Sequence, residues 1–299
     1  MQDKRIIRVF PRKTAATPDD ALVRVAVPPG LFDVADEVHI SVTWTYDLPL
    51  ADRLAYQWAQ VAPVKMGGPA YDDPGGDFVP GMYVKKGYVM TSRGCPNHCW
   101  FCSVPRREGT IRELPLTEGH NLLDSNILAC PEEHIKAVFS MLAAGKKKYG
   151  KPIEFTGGLE AARLKQWHVH ALRELRPKQL FFAYDMPDDL EPLVRAGKML
   201  HAVGFTDTSH CLRAYVLCGF KGDTCAHATK RMAQTVAAGF MPMAMLYRDK
   251  QGLRDDQWAR WQRQFARPAM MAKQYNIARI SGGTPSAESD CSAFDGGNK

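Results

Sequence analysis

A chain of 299 residues with 45% apolar positions can bury one large core, and a single α/β barrel commonly occupies that length. Its formal charge of +7 is a mild basic excess that permits an anionic substrate but is not the concentrated basic stripe of a dedicated nucleic-acid binder. Eight cysteines are too few for a disulfide scaffold of this size, and no apolar run is long enough to span a bilayer, so a soluble protein of the reducing cytoplasm is expected, with no membrane partner.

Met1 to Arg12 alternates charged and apolar residues and has no apolar stretch of the kind a secretory signal carries. Residues 1–86 read as a small α/β appendage. It comprises a strand-like Glu37 to Thr45, an amphipathic Pro49 to Gln60, a second strand-like Pro63 to Met66, then Gly67-Gly68-Pro69 and a linker rich in Gly, Pro and Asp. From residue 87, short β-branched or aromatic runs alternate with helical patterns, which is the signature of βα units around a mostly parallel sheet. Strands are expected at Gly87 to Thr91, Asn121 to Leu128, Pro152 to Thr156, Gln179 to Tyr184, Leu212 to Leu217 and Met241 to Tyr247. The helices between them include Pro131 to Ala144 and Thr224 to Ala238. The expected fold is α/β: a partial (β/α)6 TIM-like barrel over 87–280 behind the N-terminal appendage, with chemistry at the C-terminal ends of the strands. Lys146-Lys147-Lys148 suits the end of a helix, where cations complement the dipole. Residues 281–299, rich in Gly, Ser and Asp, cannot offset their ordering entropy and read as a disordered tail in which Cys291 is incidental. No internal repeat of the kind that builds solenoids or propellers is present.

Thr91-Ser92-Arg93-Gly94-Cys95-Pro96-Asn97-His98-Cys99-Trp100-Phe101-Cys102 sets three thiols on a tight loop directly after the first barrel strand. Three cysteine ligands leave one iron of a four-iron cluster open to chelate a small molecule. A zinc site fits the loop poorly, because structural zinc draws on two separated ligand pairs and His98 is badly placed to share a metal with its neighbour Cys99. A thioredoxin-like dithiol of Cys99 and Cys102 leaves Cys95 unexplained. His168 and His170, two apart on a helix, face different directions and form no metal pair. Cys211, Cys218 and Cys225 recur every seven residues, yet a turn separates the last two, and ordinary buried thiols account for them.

The Cys-x-x-x-Cys-x-x-Cys spacing, with an aromatic before the last Cys, resembles the radical S-adenosylmethionine superfamily, and the likeness extends over roughly residues 87–250. That resemblance implies a [4Fe-4S] cluster on Cys95, Cys99 and Cys102, S-adenosylmethionine on the open iron, and Phe101 packed near its adenine. Leu123-Asp124-Ser125-Asn126 looks like the acidic, amide-bearing end of the second strand in members related to the cobalamin-dependent branch; a period of two puts Asp124 and Asn126 on one face. Phe155-Thr156-Gly157-Gly158-Leu159-Glu160 is similar to the Gly-Gly-Glu element that binds the methionine amino group, with a Leu intervening before the acid. A turn needing positive φ is the plain alternative for that glycine pair. Tyr184-Asp185, and Arg213 with Tyr215, either contact the ribose and carboxylate of S-adenosylmethionine or pair internally. Cys218-Gly219-Phe220-Lys221-Gly222-Asp223-Thr224 resembles the turn after the family's fifth strand, and a glycine turn capping the next helix explains it equally. Arg93 and Lys85 are candidates for the mouth of the site.

Glu37 to Pro69 looks like part of a cobalamin-binding domain, but the Asp-x-His-x-x-Gly element that supplies an axial histidine is absent, so cobalamin is not expected to bind tightly. The family reading implies an enzyme that reductively cleaves S-adenosylmethionine to a 5′-deoxyadenosyl radical acting on an unidentified substrate. An electron donor such as a flavodoxin or ferredoxin is implied with it. A non-catalytic metal-binding or nucleic-acid-binding module is the alternative.

Overall fold

The computed structural model describes residues 4–249, 252 and 255–265. The chain divides into two compact units, Met1–Lys151 with Asp249–Leu253 and Pro152–Arg248 with Arg254–Lys299. The expected boundary at residue 86 falls inside the first unit, and the tail expected from residue 281 lies outside the described residues.

The first unit opens with an all-parallel sheet in the order β2-β1-β3-β4, formed by β1 (Ile6–Phe10), β2 (Val23–Val25), β3 (Glu37–Ser41) and β4 (Val64–Gly67). Helix α1 (Leu48–Trp58) connects β3 to β4, with Pro in its first turn, where the missing N–H costs nothing. It buries Ala51, Leu54 and Trp58, spaced three and four apart, in a core with Ile7, Val9, Val38, Ile40 and Val42. Strand β1 does not appear among the strands expected from the sequence. Arg8 interrupts its apolar run, and the fold buries that arginine against Asp20 and the carbonyls of Gly81 and Met82. Parallel strands covered on both faces do not show the alternation that marks a half-buried strand.

The remainder of this unit carries β5 (Tyr88–Val89), β6 (Ser92–Arg93), α2 (Val104–Glu108), β7 (Arg112–Glu113), β8 (Asn121–Leu122) and α3 (Glu132–Tyr149). β5 pairs with β8 in parallel, and β6 with β7 antiparallel. α3 begins with Glu132 and Glu133, ends in Lys146, Lys147 and Lys148, and closes on left-handed Gly150, as the dipole favours. It runs past the expected end at Ala144 because Gly145 is a packing residue there: a β-carbon would stand 1.9 Å from the Gly119 carbonyl oxygen.

In the second unit, β9 (Glu154–Phe155), α4 (Gln166–Leu175), β10 (Gln179–Ala183), α5 (Leu190–Ala202), β11 (Leu212–Cys218), α6 (Cys225–Ala237), β12 (Met241–Leu246) and α7 (Asp256–Phe265) alternate. The strands pair in sequence order and in parallel, which is the strand–helix pattern read from residue 152 onward. The protein is thus α/β with parallel sheets. No helix among the described residues is long and apolar enough to cross a membrane.

Candidate metal and cofactor site

Cys95, Cys99 and Cys102 lie in the connection between β6 and β7, partly exposed and outside any disulfide. One short strand, β6, intervenes between β5 and the loop. Because β6 and β7 pair through Ser92 with Glu113 and Arg93 with Arg112, both ends of the loop are held together. Gly94 has φ +85°, and a β-carbon there would stand 2.2 Å from the Thr110 carbonyl oxygen, so only glycine lets the chain turn at this point. Its N–H donates to Glu108 at 3.0 Å, and the other oxygen of Glu108 accepts from Arg107 at 2.6 Å. The Cys95 N–H donates to the Gly109 carbonyl at 3.2 Å, and the Cys102 N–H to the Cys99 carbonyl at 3.0 Å. Glu108 is absent from the sequence reading: it organises the loop from the far end of α2, where no local spacing signals it.

Among the described residues, no three His, Cys, Asp or Glu side chains are gathered around one point as a single metal ion would require. A four-iron cluster makes a different demand, since each thiolate meets its own iron, and three thiols spread along one pinned loop fit that demand.

The loop also rests on the linker before it. Arg106 pairs with Asp72 at 2.7 Å, Arg112 donates to the Gly75 carbonyl at 3.2 Å, and a β-carbon on Gly75 would stand 2.7 Å from the guanidinium carbon of Arg93. Hydrogen bonds from the Gly75 and Gly68 N–H groups hold the Asp73 carboxyl below its usual range. Arg93 is therefore packed against the linker, and Lys85 pairs with Asp19 at 2.5 Å.

The expected strand at Asn121 to Leu128 stops at Leu122, and Ile127–Ala129 forms a 3-10 turn, so a strand period of two does not place Asp124 and Asn126. Both are nonetheless buried, at 1% and 3% exposure. Asp124 accepts the Thr91 N–H at 2.7 Å, the Thr91 hydroxyl at 2.6 Å and the Ser92 hydroxyl at 2.6 Å. Burial pushes its carboxyl upward in pKa while these donors pull it down. Asn126 donates its side-chain N–H to the Cys95 sulfur at 3.6 Å. Phe101 meets Trp100 edge to face, with ring centroids 5.4 Å apart.

The other candidates lie in the second unit. Gly157 and Gly158 follow β9, and neither is among the residues with positive φ, so a turn's conformational demand does not explain the pair. Leu159 is buried and donates its N–H to the Phe181 carbonyl at 2.9 Å, which accounts for the Leu before the acid. Glu160 pairs with Arg163 at 2.6 Å. Arg213 stands at the start of β11, where its Nε donates to the His210 carbonyl at 3.2 Å and its guanidinium lies over the Phe181 ring at 5.6 Å. Tyr215 stacks on the same ring at 4.7 Å. In the turn after β11, the Gly219 N–H donates to Asp223, Arg231 pairs with Asp223 at 2.8 Å, and Thr224 caps α6. Cys211 and Cys218 are buried against backbone carbonyls, and burial pushes their thiols up to about 11 and about 12.

Asp185, just past β10, accepts the Leu217 N–H at 2.9 Å, and burial pushes its carboxyl up to about 7. An unfolded-chain aspartate titrates near 4, so between roughly pH 4 and pH 7 the folded state binds more protons than the unfolded one. Stability then declines as pH rises through that window. Asp185→Asn is expected to flatten this decline when denaturant midpoints are compared at pH 5 and pH 8. Equal declines in variant and wild type would show that Asp185 does not titrate late.

No family model matches the chain. Over 180 residues it is 26% identical to the ribosomal protein uS12 methylthiotransferase RimO of Brucella ovis, covering 56% of this chain and 39% of that protein. The chain thus spans about two fifths of the length of the curated relative it matches. Its fold is similar to that of the radical S-adenosylmethionine methyltransferase TsrM from Kitasatospora setae, a structure with cobalamin and a [4Fe-4S] cluster bound. The TM-score is 0.59 at 11% sequence identity, with 83% of this chain and 76% of that chain covered. At that identity the likeness shows the fold alone. The cysteine loop resembles that of the radical S-adenosylmethionine superfamily, the sequence is similar to a methylthiotransferase, and the fold is similar to that of a radical S-adenosylmethionine methyltransferase.

Proposed function

We propose that the chain is a radical S-adenosylmethionine enzyme of unidentified substrate, with residues 87–280 as a partial (β/α)6 barrel and residues 1–86 as its appendage. The observation that carries this is the set of three partly exposed thiols, none in a disulfide, on one loop pinned at both ends. Held there, a [4Fe-4S] cluster would supply the single electron needed for reductive cleavage of S-adenosylmethionine. The chain's own residues hold and orient. Cys95, Cys99 and Cys102 are the ligands, while Gly157 and Gly158 offer backbone carbonyls, with Glu160 as the acid, to the methionine amino group. Phe101 packs near the adenine. Asp124 acts by fixing Thr91 and Ser92 at the root of the loop, and Arg213 by packing β10 against β11. A flavodoxin or ferredoxin in the cytoplasm is the expected electron donor, and the basic excess suits an anionic substrate. Iron and sulfide analysis after anaerobic reconstitution, with the electronic spectrum, tests the reading. A chain that takes up no cluster would be the non-catalytic metal-binding or nucleic-acid-binding module instead.

Cobalamin has no part in this proposal. Residues 1–86 contain one histidine, His39, and its ring nitrogens are engaged by the Tyr83 hydroxyl at 2.7 Å and by Glu37 at 3.0 Å. Equilibrium dialysis against hydroxocobalamin is expected to leave equal concentrations on both sides. Stoichiometric retention would instead make the four-stranded sheet part of a working cofactor domain.

A further inference from the structure

Asn126 comes 31 residues after Cys95 in the chain and donates its side-chain N–H to the Cys95 sulfur at 3.6 Å. The backbone of the donor is fixed in place. The residue is 3% exposed, and its backbone carbonyl, not the side-chain oxygen, accepts the Ala129 N–H at 3.1 Å, closing the turn Ile127–Ala129. Two residues earlier, Asp124 grips Thr91 and Ser92 through the hydrogen bonds described above, so the donor and the root of the loop share one buried anchor.

We propose that Asn126 is a positioning residue that sets the reduction potential of the cluster: its N–H···S hydrogen bond to Cys95 favours the reduced, more negatively charged form. This rests on the cluster proposed above. A thiolate bound to iron carries part of the cluster's charge, and reduction adds a further electron to that charge. An N–H dipole aimed at the sulfur therefore stabilises the reduced form more than the oxidised one, and more strongly where water is excluded. Partners of this kind, one step removed from the ligands, tune metal centres through the same dipoles.

Potentiometric titration of the reconstituted full chain tests the assignment. Asn126→Leu removes the donor at similar volume, and Asn126→Asp keeps the shape but places a carboxylate beside the sulfur. Both are expected to hold four irons and to shift the midpoint to more negative values, with the larger shift in Asn126→Asp. Midpoints equal to wild type at full loading would overturn the proposal, as would a loss of iron whose remaining loaded fraction keeps the wild-type potential. Where neither variant retains enough cluster to titrate, the unaltered Asn126 decides. Asn97→Ser protein labelled with ¹⁵N at its asparagine amides should show a ¹⁵N coupling to the reduced cluster in pulsed electron paramagnetic resonance, and no coupling would refute the contact. Failure of the wild-type chain to take up iron and sulfide would count against the proposed function itself, which keeps the two failures distinct.

Discussion

Changing any one of Cys95, Cys99 or Cys102 to Ala is expected to abolish the cluster, reducing iron from about four per chain to a small remainder and removing the broad visible absorption. In the proposed cluster each thiolate meets a different iron. Cys130 is 8% exposed and burial pushes its thiol up to about 11, which keeps it protonated and a poor ligand. Cys130→Ala, Cys225→Ala and Cys291→Ala should therefore leave iron content intact. A Cys95→Ala chain that retains four irons and the wild-type spectrum after anaerobic reconstitution would show the ligand assignment to be wrong.

The second large effect concerns S-adenosylmethionine. The reconstituted protein, reduced by dithionite without air, is expected to form 5′-deoxyadenosine and methionine slowly even without its own substrate, since uncoupled cleavage needs only the open iron and the held sulfonium. Changing Gly157 and Gly158 together to Leu should lower that rate by about 100-fold, the cost of a displacement of order 1 Å at a reacting centre. Because neither glycine has positive φ, side chains are not excluded by the backbone there, and the cluster spectrum should stay unchanged. Chromatography of quenched reactions measures both products. A fully loaded, reducible cluster that yields no 5′-deoxyadenosine, with or without candidate substrates, would count heavily against the radical reading.

The strand–helix alternation was legible because residues 152–246 obey local rules: apolar runs such as Gln179–Ala183 and Leu212–Cys218 are set off by turns, and Thr224 caps α6 as its position suggests. The cysteine loop stands out in the sequence for the same reason, its three cysteines being crowded into one short stretch. What escaped depends on partners far along the chain. Strand β1 hides behind Arg8, whose charge is tolerated only because Asp20 and two carbonyls near residue 81 receive it. The early end of β8 follows from Asp124 turning to Thr91 and Ser92, contacts 33 and 32 residues back. Gly145, which the sequence presents as a helix stop, is instead the point where α3 touches the Gly119 backbone. The contact between Asn126 and the Cys95 sulfur belongs to the same class, since no spacing rule joins an amide to a thiol across a helical turn and two strands.

The clasp of β6 and β7 has a thermodynamic meaning for iron. Bringing the ends of a free loop together costs entropy that grows with the logarithm of its length. In residues 94–111 that cost is met by the β pair and by Glu108 gripping the Gly94 N–H. Small zinc modules stand at the other extreme, where the metal itself must gather the chain and its removal unfolds them. On the proposed assignment, the metal need not gather the chain. Resupply of iron and sulfide to protein that has lost the proposed cluster is then expected to restore it without refolding.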